Sequence, residues 1–527
     1  MAGIADLGPH HPAVWADRGP ERVAAVLHAG IPGGGTVATI TYAELAERSA
    51  QLVRALHRRG LGAGDHLAIM CTNRIEMLVT CWAALRSGMY CTPISTWLTA
   101  HECTYIATDS GAKALVAAAE LGDVARDVAD RAGITVRVAV GGAIAGFEPW
   151  YGVLAAESGA LLDDEPEGSV MFYSSGTTGR PKGVRKPLSG RVAGSSNPLA
   201  AFVPLTGLGE DTVYLSPAPL YHAAPLGWSL GTLRMGGTVV LLPGFEPELV
   251  LATIAEQQVT LAQFVPTMLT RLLRLDRATR DKYDRSSLRV VLHAAAPCPR
   301  HVKAAAIEWL GPIVHEYYSG TEGSGITYIT SEDWLDHPGS VGRPLVGDLH
   351  ITDESGTAVG PGTEGTIWFG GGERYEYHGD PGATAARRHS NGWTTLDDVG
   401  YVDADGYLYL TDRRAHMIVS GGVNISPREI EDVLSTHPAV DDVAVLGVPH
   451  EEHGEAVKAV VTLVAGNATA GPDLADELIA HCRGALAGYK CPRSIDFVDE
   501  LPRLPTGKLA TRLLRDRYWH GHETRIV

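Results

Sequence analysis

Helical segments and short apolar strands alternate through much of this 527-residue chain. Thr41-Tyr-Ala-Glu44 has the composition of a capping box at the start of a helix, and a strand-like run, His66–Met70, follows that helix. A second capping box, Thr99-Ala-His-Glu102, begins another helix. Because parallel strands need crossover connections, such alternation is typical of helices layered on parallel sheets. The sequence therefore predicts an α/β fold.

The sequence also predicts two structural units. A chain of 527 residues is too long for one hydrophobic core of ordinary size. From about residue 339, glycine-punctuated alternating strands indicate a β-rich subdomain, and Ser426-Pro-Arg-Glu429 has the pattern of a capped helix start. We predict a large N-terminal domain, residues 1–412, of layered α/β subdomains plus the β-rich subdomain. A small mobile α+β C-terminal domain, residues 413–527, would follow, with a loose tail from Arg517.

Composition argues against several classes of protein. With 44 Lys and Arg against 61 Asp and Glu, the formal net charge is −17, whereas a nucleic-acid surface needs a basic face. There is no apolar run of the ~18 residues that a membrane span needs, and the first residues do not resemble a signal peptide, so we expect a cytoplasmic protein. The seven cysteines include no C-x-x-C pair, and reduced, mostly buried thiols are expected.

The stretch Tyr173-Ser-Ser-Gly-Thr-Thr-Gly-Arg-Pro-Lys-Gly-Val184 has the chemistry of a phosphate-binding loop. Its glycines let backbone N–H groups turn toward an anion, its hydroxyls add hydrogen-bond donors, and Lys182 adds a positive charge. The spacing differs from the G-x-x-x-x-G-K-[ST] motif, because Pro181 stands where the second glycine would be. A flexible surface loop is the alternative reading. The order of strand, loop and lysine favours phosphate binding.

Several further stretches accompany this loop. They are Pro219-Leu-Tyr-His-Ala-Ala-Pro225, His293-Ala-Ala-Ala-Pro-Cys298, Tyr318-Ser-Gly-Thr-Glu322, Trp393-Thr-Thr-Leu-Asp-Asp-Val-Gly400 and Pro505-Thr-Gly-Lys-Leu509. Over about residues 40 to 515 they resemble, in order, the signature elements of the adenylate-forming superfamily. That superfamily includes acyl- and aryl-CoA synthetases, adenylation domains of peptide synthetases and beetle luciferases. The chain is most similar to its AMP-forming fatty-acid CoA ligases.

The resemblance implies a set of nucleotide contacts. Tyr318 would pack on adenine, Thr321 would bind the α-phosphate, and Glu322 would hold Mg²⁺. Asp398 and Arg413 would contact the ribose, although a register slip to Asp397 stays open. The other nucleotide-binding positions implied, with Thr177 also a metal candidate, are Ser174, Ser175, Gly176, Thr177, Thr178, Gly179, Lys182, Ala295, Ala296, Pro297, Ser319 and Gly320.

The resemblance also implies catalytic and CoA-binding roles. His222 would line the entrance for the substrate carboxylate, Glu322 would act through the metal, and Lys508 would bridge the carboxylate and the α-phosphate in the transition state. Ser420, Gly421 and Gly422 would admit the pantetheine arm of CoA. The small domain is expected to rotate between the two half-reactions.

The implied activity is that of an AMP-forming acyl-CoA synthetase using ATP, Mg²⁺, CoA and a carboxylic acid. No aspartate lies between Leu215 and Gly236, where peptide-synthetase domains carry one for an amino group, so an acid without an α-amine is favoured. Aliphatic, aromatic and alicyclic acids stay open, with a leaning toward medium or long aliphatic and bulky alicyclic acids. A carrier-protein-loading adenylyltransferase and a non-catalytic nucleotide-binding regulator are the alternatives, and a homodimer is left open.

Overall fold

The computed structural model describes residues 4–174, 181–296, 298–413, 418–420, 423–450, 454–466, 469–486, 488–503 and 509–520. Within these residues the strands form five sheets. The strands are β1 (Val23–His28), β2 (Thr36–Thr41), β3 (His66–Met70), β4 (Tyr90–Pro93), β5 (Ala112–Ala118), β6 (Val136–Val140), β7 (Glu148–Pro149), β8 (Ser169–Val170), β9 (Phe172–Ser174), β10 (Lys182–Arg185), β11 (Val213–Ser216), β12 (Thr238–Leu241), β13 (Leu261–Phe264), β14 (Val290–His293), β15 (Val314–Tyr318), β16 (Ile326–Ile329), β17 (Arg343–Val346), β18 (Asp348–Thr352), β19 (Gly365–Gly370), β20 (Glu376–Tyr377), β21 (Asp398–Val402), β22 (Leu408–Arg413), β23 (Ile418–Ser420), β24 (Val423–Ile425), β25 (Val440–His450), β26 (Gly454–Leu463) and β27 (Ser494–Phe497).

Helices connect and cover these strands. They are α1 (Pro12–Arg18), α2 (Tyr42–Arg58), α3 (Ile75–Leu85), α4 (Ala100–Asp109), α5 (Gly122–Arg131), α6 (Trp150–Ala155), α7 (Val203–Thr206), α8 (Ala223–Arg234), α9 (Pro247–Gln257), α10 (Pro266–Leu273), α11 (Arg277–Lys282), α12 (Arg300–Leu310), α13 (Ser331–Asp336), α14 (Pro381–Ala386), α15 (Pro427–Leu434), α16 (Pro472–Ala485) and α17 (Thr511–Trp519). Short 3₁₀ turns lie at Ile4–Asp6, Ala119–Leu121, Ala200–Phe202 and Gly488–Lys490. Within the described ranges, no helix has the length and apolar character needed to cross a bilayer.

Two large sheets form the layered part of the fold. One has six strands in the order β7-β6-β5-β3-β4-β8, all parallel. The other has nine, in the order β17-β16-β15-β14-β13-β11-β12-β1-β2, with a parallel centre and antiparallel edges. Helix α3, buried nearly all round, packs with α2 in a core that includes residues of both sheets. The predicted α/β fold is therefore confirmed.

Beyond residue 347, two smaller sheets contain all the described strands except β20, which pairs with β10 in a three-stranded sheet with β9. The antiparallel sheet β18-β19-β21-β22 confirms the predicted β-rich subdomain. The last sheet, β24-β23-β26-β25 with β27 beside β26, packs with α15 and α16. Sheet membership therefore changes between Arg413 and Ile418, beside the predicted boundary at 412/413. That boundary stays a prediction.

Capping patterns in the sequence predicted both the start and the capping hydrogen bonds of two helices. For a third helix they predicted the start but not the hydrogen bonds. Thr41 with Glu44 and Thr99 with Glu102 form reciprocal capping boxes, as predicted. Helix α15 begins at Pro427 as expected, but Ser426 makes no side-chain cap and donates instead to the carbonyl of Thr411 at 2.8 Å. The Ser426 hydroxyl therefore binds an acceptor outside the helix instead of capping the helix.

The chain end is ordered further than the sequence suggested. The expectation of a loose tail from Arg517 is wrong for residues up to 520, because α17 extends to Trp519. The Tyr518 hydroxyl donates to Asp496 at 2.7 Å, and the Trp519 indole donates to the carbonyl of Gly447 at 2.9 Å. Both partners are distant in sequence, so the pattern of the tail itself could not reveal them.

Two bidentate Arg–Glu pairs differ sharply in burial. Arg86 donates to Glu165 through Nε at 2.8 Å and Nη2 at 2.5 Å, and both side chains are 1% exposed. Arg59 binds Glu148 in the same way, at 3.0 and 2.6 Å, but these side chains are 24% and 52% exposed. His11 also lies 2.8 Å from Glu165. The buried pair joins α3 to the segment before β8.

All seven cysteines are buried and free, as the sequence predicted. The closest pair that the structure records, Cys81 and Cys91, has sulfur atoms 3.6 Å apart. Burial raises the pKa of Cys71, Cys103 and Cys298, which keeps these thiols protonated at neutral pH.

Candidate active site

The predicted phosphate-binding segment joins two antiparallel strands. Ser174 at the end of β9 pairs with Lys182 at the start of β10, and Tyr173 pairs with Gly183. The described residues therefore show a strand before this segment and Lys182 at the start of the strand after it, and residues 175–180 lie outside them. A Cβ on Gly183 would lie 3.0 Å from the Tyr173 ring, so the small residue allows the close approach of that ring.

Lys182 and Glu322 are brought near one another by β20. The Lys182 ammonium lies 3.1 Å from Asp380 and 5.5 Å from the centre of the Tyr377 ring. The hydroxyl of that tyrosine donates to Glu322 at 2.8 Å. Tyr377 is placed there because β20 pairs with β10, with Val184 opposite it. The arrangement joins the predicted phosphate lysine and the predicted metal ligand through one aromatic side chain.

The electrostatics of this group follow from its partners. Glu322 is 9% exposed, and its recorded hydrogen-bond partner is a neutral hydroxyl. Burial and the adjacent Glu322 carboxylate raise the pKa of Tyr377, so the phenol stays protonated and donates. The backbone N–H of Ala383 at the start of α14, together with Lys182, lowers the pKa of Asp380. The site therefore presents the ionised Asp380 carboxylate beside the Lys182 ammonium group.

Tyr318 and Asp398 meet at the carboxyl end of β15. The Tyr318 hydroxyl donates to Asp398 Oδ2 at 2.6 Å, and Asp398 is 5% exposed. Asp398 begins β21 and is the register partner of Arg413 on β22. The structure therefore places the two predicted ribose contacts on neighbouring strands. The side chain of Arg413 lies outside the described residues.

The adjacent residues Asp397 and Asp398, which the sequence left as alternatives for the ribose contact, differ in backbone conformation and in partner. Asp397 has a positive φ of 65° and its carboxylate contacts Arg387, whereas Asp398 faces Tyr318. A backbone in the left-handed region at this position is adopted most readily by glycine, and by asparagine or aspartate among the other residues. Asp398 is the aspartate that faces the predicted adenine contact.

Two backbone segments frame the predicted adenine pocket. Ala295 follows β14 with a φ of 73°, and Ala296 next to it is half-buried. A Cβ on Gly320 would lie 2.6 Å from a methyl group of Leu396 and 2.9 Å from Glu322 Oε2, so a larger residue there would push these two side chains aside. Ser319 donates to the carbonyl of Gly325 at 2.9 Å. Its hydroxyl is thereby used to hold the segment in shape. Thr321 is half-buried beside Glu322.

His222 stands at the N-cap position of α8. Its ring lies 4.6 Å from that of Tyr221, edge to face. The first turn of α8 after it is small and partly accessible at Ala223, Ala224 and Gly227. A Cβ built on Gly227 would meet no atom within 4 Å, so open space adjoins this face of the helix.

Part of the predicted site cannot be placed. Ser420 ends β23 and pairs with Val423 and Gly454 in the last sheet. The residues that lie outside the described part of the chain are Ser175, Gly176, Thr177, Thr178, Gly179, Pro297, Gly421, Gly422 and Lys508. Their roles stay predictions.

Sequence reasoning missed three residues that complete the site. Tyr377, Asp380 and Arg387 contact Glu322, Lys182 and Asp397 respectively. Asp380-Pro381 has the pattern of a helix start, and Asp380 does cap α14, so that local role was visible. The contact with Lys182 depends on a strand pairing across nearly two hundred residues and had no local signal.

Two family models match the chain. The model for AMP-binding enzyme matches residues 13–373, and the model for AMP-binding enzyme C-terminal domain matches residues 429–508. The first includes the loop at 175–180 and Glu322, and the second ends at Lys508.

Curated relatives and a solved structure are similar over nearly the whole chain. A feruloyl-CoA synthase of Amycolatopsis sp is 35% identical, over 92% of this chain and 95% of the relative. The long-chain-fatty-acid–CoA ligase FadD13 of Mycobacterium tuberculosis is 30% identical, over 91% and 93%. The crystal structure of ATP-bound MatB from Rhodopseudomonas palustris is 29% identical, with a TM-score of 0.83 over 98% of this chain and 99% of that one.

Proposed function

The chain belongs to the AMP-binding enzyme family, and on this premise we propose that it is an AMP-forming acyl-CoA synthetase. A carboxylate attacks the α-phosphate of ATP and releases pyrophosphate, which gives an acyl-AMP. The thiol of CoA then attacks the acyl carbon and releases AMP, which gives the thioester. Similarity to named CoA ligases over about nine tenths of the chain supports CoA as the acceptor.

The observation that carries this proposal is the convergence of the motif residues. Lys182, Glu322 and Asp398 come from three different sheets or their loops, yet all are tied to neighbouring side chains of one site. Binding a substrate anion beside a triphosphate requires positive charge and a metal-binding carboxylate in the same place. A solvated surface loop would not need a buried glutamate.

The donor set fits a divalent cation and a nucleotide. Within the described residues Glu322 forms no ion pair, so its charge is available to a hard cation such as Mg²⁺. Bound there, the cation would neutralise phosphate charge. Lys182 would hold phosphate oxygens, Asp398 would accept from ribose hydroxyls, and Tyr318 would pack on the base. Each role keeps a chain residue in contact with one part of ATP.

We propose a division of labour between residues 1–412 and 413–527. The first part would hold ATP and the acid, and the second would supply Lys508 for adenylation and Ser420, Gly421 and Gly422 for CoA. Polar contacts link the two parts in the described residues: Arg274, just after α10, forms an ion pair with the Asp441 carboxylate at 2.6 Å and donates to the Asp441 carbonyl at 2.7 Å. Polar contacts of this kind exchange with water readily, which suits a domain that moves.

The acid is proposed to be aromatic. The feruloyl-CoA synthase matches at higher identity than the fatty-acid ligase. This choice departs from the leaning toward medium or long aliphatic acids that the sequence alone suggested.

The test is release of pyrophosphate by the enzyme with MgATP and a panel of aromatic and aliphatic acids, with and without CoA. Turnover that requires both an acid and CoA, with a thioester detected by mass, supports the proposal. Pyrophosphate released at the same rate without CoA would favour loading of a carrier protein. Absence of any acid-dependent release would favour a nucleotide-binding regulator.

A further inference from the structure

Two adjacent tyrosines on β15 face opposite ways, because side chains alternate along a strand. Tyr318 reaches Asp398 on the side assigned to the nucleotide. Tyr317 lies on the other side, where its hydroxyl is 3.1 Å from the Trp228 indole of α8 and 2.5 Å from the Gln263 amide of β13. The face of β15 that carries Tyr317 is therefore the one that faces α8, the helix that begins at His222.

The hydrogen bonds in this group run in one direction. Tyr214 donates to Gln263 Oε1 at 3.1 Å, the Gln263 amide donates to the Tyr317 oxygen, and the Trp228 indole, which is only a donor, also donates to it. Both lone pairs of the Tyr317 hydroxyl are thus used. Its own proton has no acceptor among the described residues. Burial raises the pKa of Tyr317 to about 12, so this proton is present at neutral pH.

Helix α8 connects this group to His222, because His222 is its N-cap residue and Trp228 lies in its second turn. Gly227 borders open space, but a Cβ on Gly231, one turn further, would lie 2.3 Å from Leu199. The space therefore closes within that turn. His222 and Trp228 are six residues apart, which corresponds to ~9 Å along the helix axis. This is the length of a compact acid.

Aromatic packing fixes the closed end. The Phe202 ring meets those of Trp228, Tyr317 and Tyr328 edge to face, with centres 5.0, 5.4 and 5.9 Å apart. Tyr214 and Trp228 are fully buried, whereas Tyr317 and Gln263 keep 9% and 7% exposure. Tyr328 of the same cluster is 8% exposed, so the partly accessible members of the wall are Tyr317, Tyr328 and Gln263.

We infer that Tyr317, supported by Gln263 and Trp228, forms the inner end of the acyl pocket and donates a hydrogen bond to an oxygen at the far end of the substrate. This inference rests on the proposed acyl-CoA synthetase function. The substrate class is a flat aromatic acid that carries a hydroxyl or other neutral oxygen opposite its carboxylate, such as a 4-hydroxycinnamic acid. A long alkyl chain would have to displace Trp228 and leave the buried hydroxyl without an acceptor.

The test compares acids that differ only at the far end. With 4-hydroxycinnamate, 4-methylcinnamate and palmitate, we measure kcat/KM for CoA-thioester formation. Calorimetry with a non-hydrolysable ATP analogue gives the dissociation constants of the same acids. The wild-type enzyme should prefer 4-hydroxycinnamate to its methyl analogue by about tenfold or more in both measurements, because a site built for a hydroxyl rejects the analogue that lacks it. Palmitate should be the poorest of the three.

Tyr317→Phe should abolish this preference while keeping the kcat/KM for 4-methylcinnamate within about threefold of wild type. Tyr328→Phe is the matched control, because its hydroxyl is bound to His315 at 2.6 Å on the same face of the sheet, and it should keep the wild-type ratio. A wild-type ratio near one, or a ratio that survives Tyr317→Phe, would overturn the inference. The wild-type ratio decides the question even when a variant does not fold. Absence of a thioester with every acid would instead refute the proposed function.

Discussion

Replacing one carboxylate by its amide should have very different effects at two sites of the same geometry. Glu165→Gln removes the negative charge from the bidentate pair with Arg86, and Glu148→Gln does the same for the pair with Arg59. The two arginines use the same atoms at nearly the same distances. Burial is the main variable that distinguishes the pairs.

The expected magnitudes follow from that difference. In Glu165→Gln the Arg86 guanidinium stays buried without a counter-charge, which should lower the free energy of unfolding by about 3–5 kcal/mol. In Glu148→Gln both side chains are partly exposed to water, and the loss should be about 0–1 kcal/mol. An isosteric substitution keeps packing unchanged in both variants.

The pH dependence of the free energy of unfolding gives a second value for the contribution of Glu165. Burial alone would raise the pKa of Glu165, but hydrogen bonds from His11 and Arg86 outweigh it and lower the pKa from 4.5 to about 2. A lowered folded-state pKa contributes stability above pH ~4.5 that is lost as the pH falls toward 2. The difference between these two pKa values corresponds to about 3 kcal/mol of stability at neutral pH, since one pKa unit is worth about 1.4 kcal/mol.

Urea unfolding of both variants and wild type at pH 7 and pH 3 measures these values. Hydrogen exchange in peptides covering α2 and α3 reports the local stability, which matters because a chain of this size need not unfold in one step. We expect Glu165→Gln to differ from wild type by less at pH 3 than at pH 7. Equal losses for the two variants, or a Glu165→Gln loss below about 1 kcal/mol at pH 7, would refute the argument from burial.

Three further predictions concern the site. Lys508→Ala should slow acyl-AMP formation by about 10²–10³-fold while pre-made acyl-AMP and CoA still give thioester, and equal loss of both steps in stopped-flow assays would contradict the proposed division of labour. Glu322→Gln should raise the Mg²⁺ concentration needed for half-maximal pyrophosphate release, whereas Glu376→Gln, next to Tyr377 on β20, should not; equal Mg²⁺ curves would contradict the metal role. Tyr318→Phe should raise the KM for ATP about 3- to 10-fold, as expected for loss of one hydrogen bond that positions Asp398, and an unchanged KM would show that the bond does not matter.

The sequence predicted best what depends on neighbours along the chain. The capping boxes at Thr41 and Thr99 formed as expected because both partners lie within one helical turn. Ser426 and the C-terminal tail differed because Thr411, Asp496 and Gly447 compete for or bind their polar groups through the tertiary fold. Partners that are distant in sequence cannot be recognised from the local sequence pattern.

The candidate site shows the same limit. The motif residues Lys182, Glu322 and Asp398 could be chosen from sequence because each lies in a recognisable stretch. Tyr377, which links two of the motif stretches, lies in no such stretch and is placed only by the pairing of β20 with β10. The proposed inner end of the acyl pocket was also beyond the sequence, because Tyr317 and Trp228 meet across two elements about ninety residues apart.

The hairpin formed by β9 and β10 has a consequence for how the enzyme handles charge. In nucleotide-binding proteins whose loop opens a helix, the aligned peptide dipoles offer about half a positive charge to the phosphates. Here a strand, Lys182–Arg185, follows the loop, so that fixed contribution is missing. Beyond the N–H and hydroxyl donors expected of the loop, the full positive charges available are a lysine side chain and a dissociable cation. ATP affinity should therefore depend more steeply on ionic strength and free divalent cation than it does in enzymes with a helix at this point.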